Sequence, residues 1–163
     1  MEQEKNFEAE QYGQEFEQKK LIEQMASSLH DQWRETRNKL PDGTYEPRIK
    51  PTEDALWIKE HGTDQIDIAN TSYDKLPMDW QRDNKVSAEV AMGTVFDAVN
   101  QNKDLDEAFI EDASAVIHEK WLGRHTDASD EQNKPYNELT DEEKEKDRIF
   151  TRMAIDMYKQ SKS

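Results

Sequence analysis

The sequence has no cysteine, and none of its apolar stretches is long enough to cross a bilayer. Without cysteine there can be no disulfide, no thiolate zinc site and no cysteine nucleophile. The N-terminus is acidic, whereas a secretory signal peptide would begin with basic residues and continue with apolar ones. These absences predict a soluble cytoplasmic protein that has no membrane partner.

Basic residues are also scarce, since 22 lysines and arginines stand against 37 aspartates and glutamates, and the net charge is −15. A surface of this sign repels phosphates, so direct binding of nucleic acid is not expected. Only 33% of the residues are apolar, but four tryptophans, five phenylalanines and five tyrosines are spread along the chain. We therefore expect residues 1–163 to fold as a single domain.

Helical periodicity and capping residues predict five helices, four of them long. The first runs from Glu2 to about Leu40 and carries Phe16, Met25, Leu29 and Trp33 at one-turn spacings, while residues 1–15 are expected either to fray or to form a solvated acidic arm. The second helix begins at Thr52 and ends near Gly62, and the third follows Pro77 and ends near Gln101. The last two begin at the capping boxes Asp104/Glu107 and Thr140/Glu143, and Gly123 is the predicted C-cap between them.

Residues 41–76 are predicted to be a long loop insertion. Pro41, Asp42 and Gly43 form a turn signal, and the prolines that follow favour extended chain up to Pro51. Residues 66–68 alternate like a strand, but a single strand would have no partner, so we predict an extended loop there.

The chain contains an internal duplication. His30-Asp31-Gln32-Trp33 returns as His118-Glu119-Lys120-Trp121, and Tyr73 with Leu76 returns as Tyr136 with Leu139. The first repeat spans about residues 20–101 and the second about residues 104–160, which predicts an all-α fold of two related helical hairpins. Each repeated histidine precedes a tryptophan by three residues, so we expect it to lie beside the indole and to hydrogen-bond a buried loop. No histidine spacing matches a metal site.

A basic and aromatic segment stands out from the acidic background. Residues 34–50 carry five positive charges against three negative ones, a net charge of +2. Arginine forms forked contacts with phosphate or carboxylate, and aromatic rings provide a stacking face. We therefore predict an anion pocket formed by Arg34, Arg48, Lys50, Trp57, Tyr73 and Trp80. In the competing interpretation, these arginines simply pair with the many carboxylates.

No catalytic signature is present, since a glycine-rich phosphate loop, a GxSxG motif and a diagnostic carboxylate pair are all missing. The segment 67–84 holds short polar side chains of the kind that bond loop backbone. If this segment were catalytic, Asp67 or Asp79 would need a raised pKa. An enzyme that uses Asp67 or His30 as a general base is the least favoured of three hypotheses.

The second repeat resembles the ryanodine receptor repeat (RyR) domain over about residues 113–158. The matching residues are His118, Glu119, Trp121, Pro135, Tyr136, Leu139, Glu143, Lys144, Asp147 and Arg148. The first repeat fits more loosely, through His30, Trp33, Tyr73, Leu76, Asn84 and Lys85. The resemblance implies two helical hairpins related by pseudo-twofold symmetry, and it favours a binding module, with nucleotides among the ligands suspected for such domains, over an enzyme.

The favoured hypothesis is a non-enzymatic binding module without a cofactor, which recognises a small anionic ligand such as a nucleotide between its repeats. The alternative is an acidic interaction factor that occupies the basic groove of a protein partner in place of nucleic acid, chiefly through residues 141–147.

Overall fold

A computed structural model describes the backbone of residues 2–163 and the side chains from Glu10 onward. Within these residues the chain forms five α-helices, a two-stranded sheet and three single-turn 3-10 helices. The helices are α1 (Glu2–Glu35), α2 (Ala55–His61), α3 (Met78–Asn100), α4 (Glu107–Arg124) and α5 (Asp141–Lys162). The strands are β1 (Ile49–Pro51) and β2 (Gln65–Asp67). The predicted all-α class and the prediction of five helices, four of them long, are thus confirmed.

The chain divides into two compact units, one formed by Gln24–Val86 and the other by Met1–Glu23 with Ser87–Ser163. The boundaries fall inside α1 and α3 rather than at the predicted junction of the repeats. The single domain and the fraying of residues 1–15 stay predictions; the backbone of α1 begins at Glu2, while Met1 and the side chains before Glu10 lie outside the described residues. Phe16, which was expected on the apolar face, is 72% exposed.

In the unit Gln24–Val86, α1 ends about one turn earlier than predicted. The Thr36 hydroxyl donates to the Trp33 carbonyl oxygen at 2.6 Å, and a small hairpin follows, closed by a bridge between Lys39 and Tyr45. Gly43 lies in the tip of this hairpin with φ of 90°, a conformation that side chains other than glycine rarely adopt. The predicted turn is therefore present, but it lies at the tip of this hairpin and not at the end of the helix.

The prediction of an unpaired extended loop at residues 66–68 is wrong. β2 pairs antiparallel with β1, and Lys50 lies opposite Ile66. The partner strand escaped prediction because it contains only three residues and ends in Pro51, whose missing N–H marks an edge position. Helix α2 occupies the connection between the two strands. Its N-cap is Asp54 rather than Thr52, whereas its predicted end at Gly62 is confirmed by the left-handed conformation of that residue.

In the other unit, α4 and α5 pack against each other and bury Ile110, Ala113, Ile117, Ala154 and Ile155. The predicted cap of α5 is confirmed, since the Thr140 hydroxyl accepts a hydrogen bond from the Glu143 amide. The predictions for α4 are wrong at both ends. Its N-cap is Asp106, whose carboxylate accepts from the Phe109 amide, and its C-cap is His125.

The sequence duplication is also a duplication of contacts. Nε2 of His30 lies 2.7 Å from the carbonyl oxygen of Thr71, and Nε2 of His118 lies 2.7 Å from that of Lys134. In both repeats the accepting residue stands two positions before a buried tyrosine that opens a 3-10 turn. The rings of His30 and Trp33 are stacked, as are those of His118 and Trp121. The structural role predicted for the two histidines is therefore confirmed.

Candidate functional site

The unit Gln24–Val86 contains an open cleft of about 580 Å³ between the end of α1, helix α2 and the segment that follows β2. Two side chains, those of Arg34 and Lys75, bring full positive charge to it. Its complete lining is Arg34, Trp57, His61, Thr63, Gln65, Ile66, Asp67, Asn70, Thr71, Ser72 and Lys75. The cleft thus combines cations, a stacked ring pair and several neutral polar groups within one compact unit.

Arg34 is held in place by the segment after β2. Its Nε donates to the carbonyl oxygen of Ala69 at 2.9 Å, and its Nη1 lies 3.4 Å from the carboxylate of Asp31. The guanidinium carbon also lies over the Tyr45 ring, 5.3 Å from its centroid. These contacts orient the guanidinium, so little side-chain entropy remains to be lost when an anion binds.

Lys75 is exposed and, among the residues that the structure describes, forms no ion pair. Its charge acts on the neighbouring Asp74 carboxylate, but no close ion pair has to be broken before the ammonium group contacts a ligand. Because lysine carries a compact charge on a flexible chain, it can follow anions of different shape.

The aromatic wall of the cleft is formed by Trp57 and His61, which lie one turn apart on α2. Their ring centroids are 4.0 Å apart and their planes are inclined by 13°. Nδ1 of His61 lies 2.9 Å from the carbonyl oxygen of Trp57. Since a carbonyl can only accept, Nδ1 carries a hydrogen, and Nε2 is the remaining polar atom of the ring.

Asp67 is the one acidic residue of the lining, and its oxygens are already engaged. Oδ1 accepts from the backbone amides of Arg48 and Ala69, and Oδ2 accepts from the Asn70 side chain at 2.7 Å. Although partial burial raises the pKa of Asp67, these hydrogen bonds outweigh it and hold the pKa below its ordinary value. A carboxylate of lowered pKa is poorly suited to act as a general base, so Asp67 organises the loop instead.

The two other residues considered for catalysis are also structural. Asp79 accepts from the Thr52 hydroxyl at 2.6 Å and from the Glu53 amide at 2.9 Å, and thereby ties the start of α3 to the chain before α2. His30 is only 4% exposed. Burial is the main cause that lowers the pKa of His30 and favours its neutral form.

The six residues predicted for the anion pocket all belong to Gln24–Val86, but only two of them, Arg34 and Trp57, line the cleft. Arg48 is exposed, and its backbone, not its guanidinium, contacts Asp67. Lys50 is committed to β1, Tyr73 is buried, and the Trp80 indole donates to the Pro51 carbonyl oxygen at 3.0 Å.

Sequence reasoning missed His61, Lys75, Asn70 and Ser72. A signal for the first was present, because a histidine four residues after a tryptophan lies on the same face of a helix. The other three follow β2, and only the strand pair brings this segment to α2. Their position depends on a tertiary contact, so no local pattern could have indicated it.

A second, smaller cleft of about 350 Å³ adjoins the same ring pair, and Trp57, His61 and Lys75 line both clefts. Its other lining residues include three carboxylates, those of Asp54, Glu60 and Asp74. The ring pair therefore separates a cationic cleft from an acidic one. An anion would be attracted to the Arg34 side and repelled from the other.

The acidic start of α5, which is the core of the alternative hypothesis, is largely paired within its own unit. Glu143 forms an ion pair with Lys146 at 2.9 Å, and Glu145 pairs with Arg148 and Arg152. Asp147 is buried beside His118. Much of this charge is therefore unavailable to a basic partner.

Comparisons with known proteins found no match: no protein-family model, no curated protein and no solved structure corresponds to this chain. Within residues 2–163, no helix combines the length and apolar character needed to cross a membrane. The described side chains contain no group of three or more histidines and carboxylates arranged to hold a metal ion.

Proposed function

We propose that this protein is a non-enzymatic binding module that takes a small anionic ligand, such as a nucleotide, in the cleft of Gln24–Val86. The observation that carries this proposal is the presence of Arg34, Lys75 and the stacked rings of Trp57 and His61 in one cleft. In a chain whose net charge is −15, a cationic cleft is a local exception to the overall charge.

The chemistry of the cleft fits a ligand with a charged part and a planar part. The guanidinium of Arg34 is oriented by its own contacts, and Lys75 supplies a second positive charge. The side chains of Asn70 and Ser72 add neutral hydrogen-bonding groups nearby. The rings of Trp57 and His61 supply the apolar face on which a base can stack.

The resemblance of the second repeat to the RyR domain supports binding over catalysis, and the repeated histidine and tyrosine contacts are consistent with it. Fold analogy alone does not assign a ligand. The proposal therefore depends on the cleft, and the resemblance only raises the expectation that a ligand or partner exists.

The test is a thermal-shift screen of the purified full-length protein against ATP, AMP, cyclic dinucleotides and inorganic pyrophosphate. A ligand that prefers the native state stabilises it, by about 2.7 kcal/mol when the ligand is in hundredfold excess over its Kd. The melting temperature rises as a result. Lys75→Ala and Arg34→Ala should remove the shift. Arg48→Ala is the matched control, because Arg48 is exposed in the same basic segment but lies outside the cleft.

A shift that survives Lys75→Ala and Arg34→Ala but disappears in Arg48→Ala would overturn the assignment of the cleft. If none of the compounds shifts the melting temperature, the anionic-ligand proposal fails and the acidic interaction factor becomes the better hypothesis. Strong salt dependence of partner capture would then support that alternative.

A further inference from the structure

His118 faces a hydrogen-bond acceptor at each of its two ring nitrogens. Nε2 lies 2.7 Å from the carbonyl oxygen of Lys134, and Nδ1 lies 3.4 Å from a carboxylate oxygen of Asp147. Both side chains are buried, with His118 4% and Asp147 8% exposed. Water therefore does little to screen the interaction between these two side chains or to hydrogen-bond them in place of each other.

The two acceptors determine how many protons the pair needs. A carbonyl oxygen can only accept, so Nε2 must carry a hydrogen. In a neutral imidazole the lone pair then sits on Nδ1 and faces a negatively charged carboxylate. The contact becomes favourable only when one more proton is present, either on Nδ1 as an imidazolium or on the carboxyl group of Asp147 as an acid.

The other groups around the pair do not take the place of the extra proton. From α5, Glu143 and Lys146 act on Asp147 with opposite signs. From the 3-10 turn at Tyr136–Glu138, the Tyr136 hydroxyl is already committed to Glu111, and Glu138 is exposed. The loop of residues 125–135 contributes the Lys134 carbonyl oxygen, and α4 itself contributes the indole of Trp121.

The first repeat differs at one informative position. His30 makes the same contact, with Nε2 2.7 Å from the Thr71 carbonyl oxygen. Asp147 stands eleven residues after Tyr136, and the residue eleven positions after Tyr73 is Asn84. An amide in that position does not titrate and can donate a hydrogen bond, whereas an ionised carboxylate can only accept.

We propose that His118 and Asp147 form a proton-dependent latch, which fastens the loop of residues 125–135 to α4 and α5 while the pair holds its extra proton and loosens it when that proton is lost. In the first repeat the position that corresponds to Asp147 holds Asn84, so this carboxylate is missing there.

The direction of the pH response follows from the two acceptors around His118, because only the pair with its extra proton satisfies both of them, and the burial of Asp147 acts in the same sense. Burial is the largest cause that raises the pKa of Asp147 from 3.8 to about 6, and the charge of His118 opposes it. A raised folded-state pKa means that the contribution to stability is complete below the unfolded-state pKa and is lost as pH rises through about 6. His30 responds in the opposite sense, because its lowered pKa favours the neutral ring as pH rises.

The experiment compares amide hydrogen exchange of the full-length wild type and Asp147→Asn at pH 5 and pH 7.5, corrected for intrinsic rates. The reporter is the segment 126–134, in which the Asn133 amide donates to the Ser129 carbonyl oxygen at 2.8 Å. In the wild type, protection of this segment should fall about tenfold between the two pH values, the change that one pKa unit of differential stabilisation produces. In Asp147→Asn it should stay constant, and this variant should melt at a higher temperature than the wild type at pH 7.5.

The Lys75 amide, which bonds the Ser72 carbonyl oxygen beside the His30 contact, is the internal control, and its protection should not fall at pH 7.5. A fall in protection of equal size in Asp147→Asn would overturn the latch. Should that variant not fold, nitrogen-15 NMR of the wild type decides: two protonated ring nitrogens on His118, or a carboxyl proton on Asp147, at pH 5 support the latch. A neutral ring beside an ionised carboxylate at that pH refutes it.

Discussion

The imidazole of His61 stacks on the indole of Trp57 with centroids 4.0 Å apart, while its Nδ1 lies 2.9 Å from the carbonyl oxygen of the same tryptophan. The same arrangement recurs at Trp121 and His125, with centroids 4.4 Å apart and an Nδ1 to oxygen distance of 2.9 Å. Of these two pairs, the first lines the cationic cleft and the second belongs to the other compact unit. The molecule therefore provides its own control for the role of the stacked rings.

His61→Ala should weaken binding of a nucleotide that the thermal-shift screen identifies. Loss of one ring from a stacked platform removes about 0.5–1.5 kcal/mol, which corresponds to roughly a twofold to twelvefold increase in Kd. Calorimetric titration with that nucleotide measures the change. His125→Ala removes an equivalent ring outside the cleft and should leave Kd unchanged; an equal effect of both variants would show that the ring pairs act on the fold and not on the ligand.

Asp67→Ala should lower the urea midpoint of the full-length protein at pH 7. Three donors would lose their acceptor, including the backbone amides of Arg48 and Ala69. Glu60→Ala is the control, since this carboxylate is exposed and has no hydrogen-bond partner among the described residues.

The difference in free energy of unfolding between Asp67→Ala and the wild type should become smaller as the solution is acidified. The native hydrogen bonds hold the pKa of Asp67 below its ordinary value of 3.8, so its stabilising contribution is present above that value and is lost as pH falls through the folded-state pKa. Unfolding curves at pH 7, 5 and 3 follow this change. If the stability difference between the two proteins is the same at all three pH values, the charge of the Asp67 carboxylate does not hold the loop.

Thr151→Val should destabilise the protein by about 1–3 kcal/mol, and adding Ser114→Ala should recover most of that loss. The two hydroxyls lie 2.9 Å apart in the core, and both side chains are 0% exposed. Thr151→Val leaves the Ser114 hydroxyl without its partner, whereas after Ser114→Ala the Thr151 hydroxyl can still donate to the Asp147 carbonyl oxygen at 3.4 Å. Removing both hydroxyls leaves an apolar contact.

The sequence repeat contains a precedent for this double substitution. The positions in the first repeat that correspond to Ser114 and Thr151 are Ala26 and Ala88, which are likewise fully buried. Urea denaturation of the wild type, the two single variants and the double variant gives the coupling free energy between the two hydroxyls. Thr126→Val is the control, because Thr126 is exposed. Additive losses would indicate that each hydroxyl is satisfied elsewhere.

Local sequence patterns predicted those features that depend on near neighbours in the chain. The five helices, the Thr140 cap and the left-handed Gly62 all follow from spacing and from the conformations that individual residues favour. A hydrogen bond from each of His30 and His118 to a loop was also predicted, because a duplicated histidine beside a tryptophan indicates a duplicated contact. In each of these cases the interacting groups are close in sequence or repeat as a unit.

The two wrong N-cap predictions concern competition between nearby candidates. Asp104 and Asp106 are both able to cap α4, as Thr52 and Asp54 are for α2, and the later residue of each pair is the cap. Thr52 instead donates to Asp79, which lies on another element. A capping preference of about 1 kcal/mol is too small to choose between such neighbours when a tertiary hydrogen bond favours one of them.

The sequence by itself determined the helical class, the internal repeat, the excess of negative charge and the presence of cations and aromatic rings near residue 34. Only the tertiary structure decided that Lys75 and His61 join Arg34 while Arg48, Tyr73 and Trp80 do not. The reason is physical: helix propensity and charge are sums over local residues, whereas the lining of a cleft depends on the pairing of β1 with β2 and on the three hydrogen bonds that Asp67 accepts. These contacts join residues up to 19 positions apart, and no single window of sequence contains them.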